Sequence, residues 1–163
     1  MKQSHKQYID LYRAHRDMVN DGSTEVMNQQ REAAAALLEE QGLPSHKEER
    51  YKYTDAEEAF APDYGLNLRR TPSNVDPYEV YKCNVPNLST SLFFVVNDVP
   101  CDAPQSARAL LPEGVIITSF RQAATMGRAD LLEKYYNQAA ANDRDFKTGH
   151  DGVTLLNTLL AQD

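Results

Sequence analysis

The sequence predicts an α+β protein: an N-terminal helical hairpin followed by a small sheet of about three strands with flanking helices. Three observations carry this. Apolar residues recur at helical spacing through residues 5–41. Alternating and β-branched runs, punctuated by Pro, Gly and Asn, then occupy residues 78–118. Helical spacing returns between Ser119 and Leu160. The expected division is a helical region with an elbow over residues 1–61 and a small α+β region over 62–163, packed as one unit.

Residues 5–20 form the first expected helix, with Tyr8, Leu11, Tyr12, His15 and Val19 on one face. Asn20-Asp21-Gly22 is a turn, and Ser23 stands where an N-cap would open a second helix from Thr24 to Gln41. The apolar stripe of that helix is Val26, Met27, Ala34, Leu37 and Leu38, and its alanine run from Ala33 to Ala36 has the highest intrinsic helix propensity. So short a connection makes the two helices an antiparallel hairpin. Gly42 can take the left-handed conformation that closes a helix, and Pro44 keeps it from resuming at once. An elbow follows. Ser45 with Glu48, and Thr54 with Glu57, both have capping-box spacing, and Tyr51 and Tyr53 sit between them at strand-like spacing. From Asp55 to Phe60 a short helical turn is expected, ended by Pro62.

Residues 62–77 hold Pro62, Gly65, Pro72 and Pro77 and read as an ordered surface loop, because Tyr64-Gly65-Leu66-Asn67-Leu68 is too apolar for a flexible linker. Three strands are expected next. Tyr78 to Cys83 alternates apolar and polar residues. Leu92 to Val96 is a continuous apolar run bounded by Asn97-Asp98, which suits a strand covered on both faces. Val115 to Thr118 is β-branched throughout. Ser119 and Gln122 fit another capping box, opening a helix that pauses at Gly127 and resumes through Leu131, Leu132, Tyr135, Tyr136 and Ala139. Residues 141–152 are a polar loop, and Val153 to Leu160 is a helix with Leu155, Leu156, Leu159 and Leu160 on one face.

Composition narrows the function. The 163 residues, 41% hydrophobic and 25% charged, suffice for one domain with a sizeable core. No apolar run approaches the roughly 20 residues that span a bilayer, and the N-terminus has no apolar signal core, so a cytoplasmic location without membrane contact is expected. The net charge of −7 is uneven: residues 31–63 carry four positive and nine negative side chains. That acidic excess argues against nucleic acid, whose phosphates are met by Lys and Arg. Arg50 and Lys52 do alternate with Tyr51 and Tyr53, but in acidic surroundings the pattern reads as an aromatic packing elbow.

No convergent chemistry is visible. There is no glycine-rich phosphate loop, no Gly-x-Ser-x-Gly elbow and no His-Glu-x-x-His pair. His5, His15, His46 and His150 are scattered, and His46 reads as solvent-exposed rather than as a ligand. Glu48 and Glu49 are adjacent, so on a helix they point about 100° apart and cannot face one another as an acid–base pair. Cys83 and Cys101 are too few and too far apart for a cysteine framework or a four-cysteine cluster site, and are expected as free thiols. The expected protein is therefore not an enzyme, with no catalytic, cofactor-binding or metal-binding residue assigned.

Leu43-Pro44-Ser45-His46-Lys47-Glu48-Glu49-Arg50-Tyr51-Lys52-Tyr53-Thr54-Asp55 resembles the elbow near the N-terminus of the SufD family, with Tyr51 where the commoner pattern has Trp. The resemblance continues in register through Ala61 to Leu68, Asn87 to Asp98, Leu111 to Val115 and Asp151 to Thr158. It implies a scaffold subunit of iron–sulfur cluster assembly, partnered by SufB-like and SufC-like (ATPase) proteins in a SufBCD-type complex. It also implies that the chain is the N-terminal portion of a longer protein whose matching segment leads into a parallel β-helix. Leu155, Leu156, Leu159 and Leu160 would then be partly orphaned, and self-association through that face is expected. The other reading is a free-standing acidic adaptor that binds a protein through its acidic helix and its apolar C-terminal helix. A pocket lined by groups of perturbed pKa would instead indicate an enzyme.

Overall fold

The computed structural model describes residues 3–81 and 91–163. Helices α1 (His5–Ala14) and α2 (Arg16–Asp21) cover the first expected helix, with a break at His15, where φ is −126°. Helix α3 (Glu25–Gln41) follows. Its N-cap is Thr24 rather than Ser23: the Met27 amide donates to the Thr24 hydroxyl at 3.5 Å. Ser23 is otherwise engaged, its hydroxyl accepting a 2.6 Å hydrogen bond from Arg31. Gly42 ends α3 at φ 72°, and its amide donates to the Leu38 carbonyl.

The elbow's second box forms differently from the expectation. Helix α4 (Ala56–Ala59) is capped by Asp55, whose carboxylate accepts from the Glu58 amide at 2.9 Å. The Glu57 carboxylate, expected to reach back to Thr54, instead accepts from the Ser4 amide at 2.8 Å and so ties α4 to the start of α1. The loop expected over residues 62–77 holds as far as Asp76 and is pinned by Tyr64 donating to the Ala59 carbonyl and by Asn67 bonding to Thr71 and Asn97.

The sheet is smaller than expected. Among the described residues it consists of β1 (Val95–Val96) and β2 (Val99–Pro100), antiparallel, with Val95 opposite Pro100. Asn97 and Asp98, at φ 51° and 63°, make the left-handed turn that suits a two-residue hairpin. Val95 is exposed, so this is not the doubly covered strand that the apolar run suggested. Tyr78 to Tyr81 is not a strand: Asp76 caps a helical turn, α5 (Pro77–Val80), with Pro77 at a position where its missing N–H costs nothing. The rest of that expected strand, Lys82 and Cys83, lies outside the described residues, as do Asn87 to Thr90 of the family resemblance. Val115 to Thr118 forms no strand either. β-branched residues favour a pleated surface only where a neighbouring strand supplies hydrogen bonds and side-chain contacts, and none runs beside them among the described residues.

Short helices fill the remainder: α6 (Gln105–Arg108), α7 (Phe120–Thr125) and α8 (Ala129–Tyr135). Ser119 caps α7 through the Gln122 amide at 3.2 Å, and Gly127 at φ 75° makes the pause before α8. The last helix, α9 (Gly152–Leu160), packs against α3 and α1. These three helices build the core, in which Ile9, Tyr12, Leu38, Leu155, Leu156 and Leu159 meet Val19, Leu43 and Ala56. The leucine face of α9 is therefore not orphaned. Leu155, Leu156 and Leu159 are buried and Leu160 is packed against them, so the surface expected to drive self-association is spent inside the chain. Burying each such leucine contributes about 1.5–3 kcal/mol. Gly152 permits the crossing, because a Cβ there would lie 2.3 Å from the Gly42 carbonyl oxygen. No described helix is long and apolar enough to cross a membrane.

Candidate interaction surface

The elbow acts as a clasp on the loop that leads into α9. Ser45 and Glu48 form their local pair, the Ser45 amide and hydroxyl both donating to the Glu48 carboxylate at 2.7 Å. A single 3-10 turn, Glu49–Tyr51, then sends neighbouring side chains in different directions. Tyr51 turns inward and donates to Asp151 at 2.6 Å, while Asp151 caps α9 by accepting from the Val153 amide. Burial and then the hydrogen bond to Asp151 push the Tyr51 phenol up to about 12. Arg50 pairs with Asp143, reaches Asp145 at 3.3 Å and lies over the Phe146 ring. The Arg50 guanidinium in turn holds the Asp143 carboxyl below its ordinary range. Gln41 completes the clasp by donating to the His150 carbonyl at 2.8 Å.

Tyr53, two residues on, is 90% exposed and lies beneath the Lys52 ammonium. Tyr51 and Tyr53 are thus split between core and solvent, and form no shared stacking platform. His46 is exposed as expected, 3.8 Å from Asp55. Glu49 is exposed beside Lys52 while Glu48 is engaged with Ser45, so the two do not face one another. Among the described residues, no three His, Cys, Asp or Glu side chains converge as metal ligands. Cys101 is a free, half-buried thiol on the wall of a groove, and Cys83 lies outside the described residues.

The residue that sequence reasoning missed is Arg31. It is 0% exposed, and its guanidinium caps the end of α9 by donating to the carbonyls of Thr158, Leu159 and Ala161 at 3.2, 2.8 and 2.7 Å. Ser23 and Asn28 accept its remaining hydrogen bonds. Burial lowers its pKa. The partner is the partial negative charge of a helix C-terminus rather than a carboxylate. A signal was present: Met27, Arg31, Ala34 and Leu38 share one helical stripe, so this arginine sits on the face that must be buried.

Outside this core the surface changes character. Leu110, Val115, Ile116, Ile117, Phe120, Met126, Leu131 and Tyr135 are all exposed. A cavity of about 780 Å³ opens between the end of α2, the turn at Leu68–Arg70, the hairpin and α7. A second, of about 390 Å³, continues toward Met126. Asp102, Arg108, Ile117, Thr118 and Gln122 line both, so the two form one elongated groove. Of the exposed apolar residues, Val115, Ile116, Ile117 and Met126 line this groove.

The family described as the SufBD protein N-terminal region matches residues 2–163. The chain belongs to this family. Membership ties this SufBD N-terminal region to the scaffold-type proteins of iron–sulfur cluster assembly. No curated protein and no solved structure matches the chain.

Proposed function

We propose that this SufBD-type region is the N-terminal part of a SufD-like subunit, with a non-catalytic, structural role in iron–sulfur cluster assembly within a cytoplasmic SufBCD-type complex. The observation that carries the reading is the family match over residues 2–163. The resemblance of the elbow at residues 43–55 to that of SufD supports it. In this reading residues 1–61 and 62–163 act as one unit, because α9 of the second completes the core of the first. The chain contributes no catalytic, cofactor-binding or metal-binding residue of its own. SufB-like and SufC-like proteins meet its exposed apolar surface between Leu110 and Tyr135.

The adaptor reading takes the acidic helix and the apolar C-terminal helix as binding faces, and the second of these lies in the core. The scaffold reading is tested by co-expressing the chain with SufB-like and SufC-like proteins from the same genome. Co-elution of the three in size-exclusion chromatography is expected. Elution of this chain apart from both at every concentration tried overturns the reading.

A further inference from the structure

The chain exposes more surface than a self-contained molecule of its mass. A folded monomer of 18.4 kDa exposes about 8,200 Å². This chain exposes 11303 Å². The surplus is about 3,100 Å². Residues 1–2 and 82–90, which lie outside the described residues, supply about 1,800 Å² of it even when counted as fully extended. More than about 1,000 Å² is left, and each partner in a stable protein–protein interface contributes roughly 800 Å².

The apolar part of that surplus is gathered in one stretch. Fifteen large apolar side chains are exposed among the described residues, and eight of them fall between Leu110 and Tyr135, each 43–63% exposed. Val115, Ile116, Ile117 and Met126 line one cavity. Leu131 and Tyr135, four residues apart, share one face of α8, which packs on α7. The charges of the stretch are balanced, although the chain as a whole carries −7. Arg121, Arg128 and Lys134 are matched by Glu113, Asp130 and Glu133, all six exposed. None of the six forms an ion pair among the described residues.

A nucleic acid or an anionic membrane would need an excess of Lys and Arg that this surface lacks. A strongly basic partner would favour the acidic stretch at residues 31–63 instead. A neutral apolar surface that carries free charges of both signs is suited to itself. Across a twofold axis the same patch meets its own copy, apolar side chains cover one another, and each charge can meet its opposite. We propose that the surface from Leu110 to Tyr135 pairs with the same surface of a second copy of this chain. The face differs from that of α9, which is already covered within the chain. The pairing takes place where no SufB-like or SufC-like protein covers the surface, and it does not rest on the scaffold reading.

The test is sedimentation velocity on the whole chain, from micromolar to millimolar concentration. The mass is expected to rise with concentration from 18.4 kDa toward twice that value. Ile116→Asp and Met126→Asp are each expected to raise the dissociation constant by about tenfold or more, because a twofold axis places each substitution in the interface twice. Val75→Asp, at an exposed residue outside this surface, is expected to leave the constant unchanged. Since the surface is neutral, the dimer is expected to hold from low to high salt, whereas pairing through residues 31–63 would strengthen as salt screens their repulsion. Ile116 and Met126 are 51% and 58% exposed, so both variants are expected to keep the fold, with circular dichroism as the check. If one unfolds, the other decides; if both unfold, the surface is core and the pairing is overturned. A chain that stays at 18.4 kDa throughout, a dimer indifferent to both substitutions, or one that forms only at high salt also overturns it. If the chain pairs through this surface yet elutes apart from SufB-like and SufC-like proteins, the pairing stands and the scaffold reading falls. If the complex forms and the chain alone stays monomeric, the scaffold reading stands and the pairing falls.

Discussion

Helix α3 and the run from Leu110 to Tyr135 are both rich in apolar residues, yet they end in opposite environments. α3 buries Met27, Arg31, Ala34, Ala35 and Leu38 against α1 and α9. The later run buries Leu132 and leaves Ile116 51% exposed among many exposed neighbours. Length separates them. α3 has seventeen residues and α1 ten, enough turns to present a continuous stripe to a partner helix. α7 has six residues and α8 seven, which is too short for either to bury a stripe by itself. Apolar content thus becomes core where long elements cover one another and where short ones, such as α2 with Val19 and α4 with Ala56, dock onto them, and elsewhere it stays exposed.

The contrast can be broken most directly at Leu159, which is 0% exposed. Leu159→Ala is expected to cost about 2–5 kcal/mol in urea unfolding, from lost burial plus the cavity left between α9 and α3. A cost near zero would mean that α9 is not part of the core. Arg31→Met comes next, at about 3 kcal/mol, because the carbonyls at the end of α9 lose their donors inside the protein. Arg31→Lys should recover only part of that loss, since one ammonium cannot reproduce the guanidinium fork.

The clasp is a smaller effect. Tyr51→Phe removes the hydrogen bond to Asp151 and is expected to cost about 1 kcal/mol at neutral pH. Its pH signature has a fixed sign. The Tyr51 pKa rises from 10.0 to about 12 on folding, so its contribution is fully present below pH 10 and is lost as pH rises through about 12. Tyr51→Phe should therefore flatten part of the alkaline fall in stability, and an unchanged slope in that window would contradict the assignment. Tyr8, Tyr12 and Tyr136 are raised in the same direction, chiefly by burial, and add to that fall. Smallest of all, Ile116→Ala should change stability by no more than about 0.5 kcal/mol, as surface substitutions do. A large stability loss there would show that the Leu110–Tyr135 surface is core after all.

Much of the fold was legible because its signals are local. The helices at residues 24–41 and 153–160, the stops at Gly42 and Gly127, and the Ser119 cap each depend on residues within a turn of one another, and the structure contains them, whereas the first helix breaks at His15, which is exposed, and buries Ile9 instead. The strands were misread where the signal was propensity alone. Val115 to Thr118 has strand composition and no strand beside it, and Tyr78 to Val80 alternates like a strand yet follows Asp76-Pro77, a helix-start pair that outweighed the alternation. The elbow was recognisable as a motif, but its partners Asp143 and Asp151 lie about a hundred residues away in the chain and carry no mark of that pairing.

By itself, then, the sequence determined the place of the long helices α3 and α9, the location of the acidic excess, and the family resemblance, because these reside in neighbouring residues; it did not determine the break at His15 or the helical turns α5 and α6. Only the tertiary structure decided that α9 closes the core of α1 and α3, that Arg31 caps its end, and that Arg70 and Arg121 share one groove. Those depend on which faces meet. A stripe of leucines says that it must be covered, but it does not say by what.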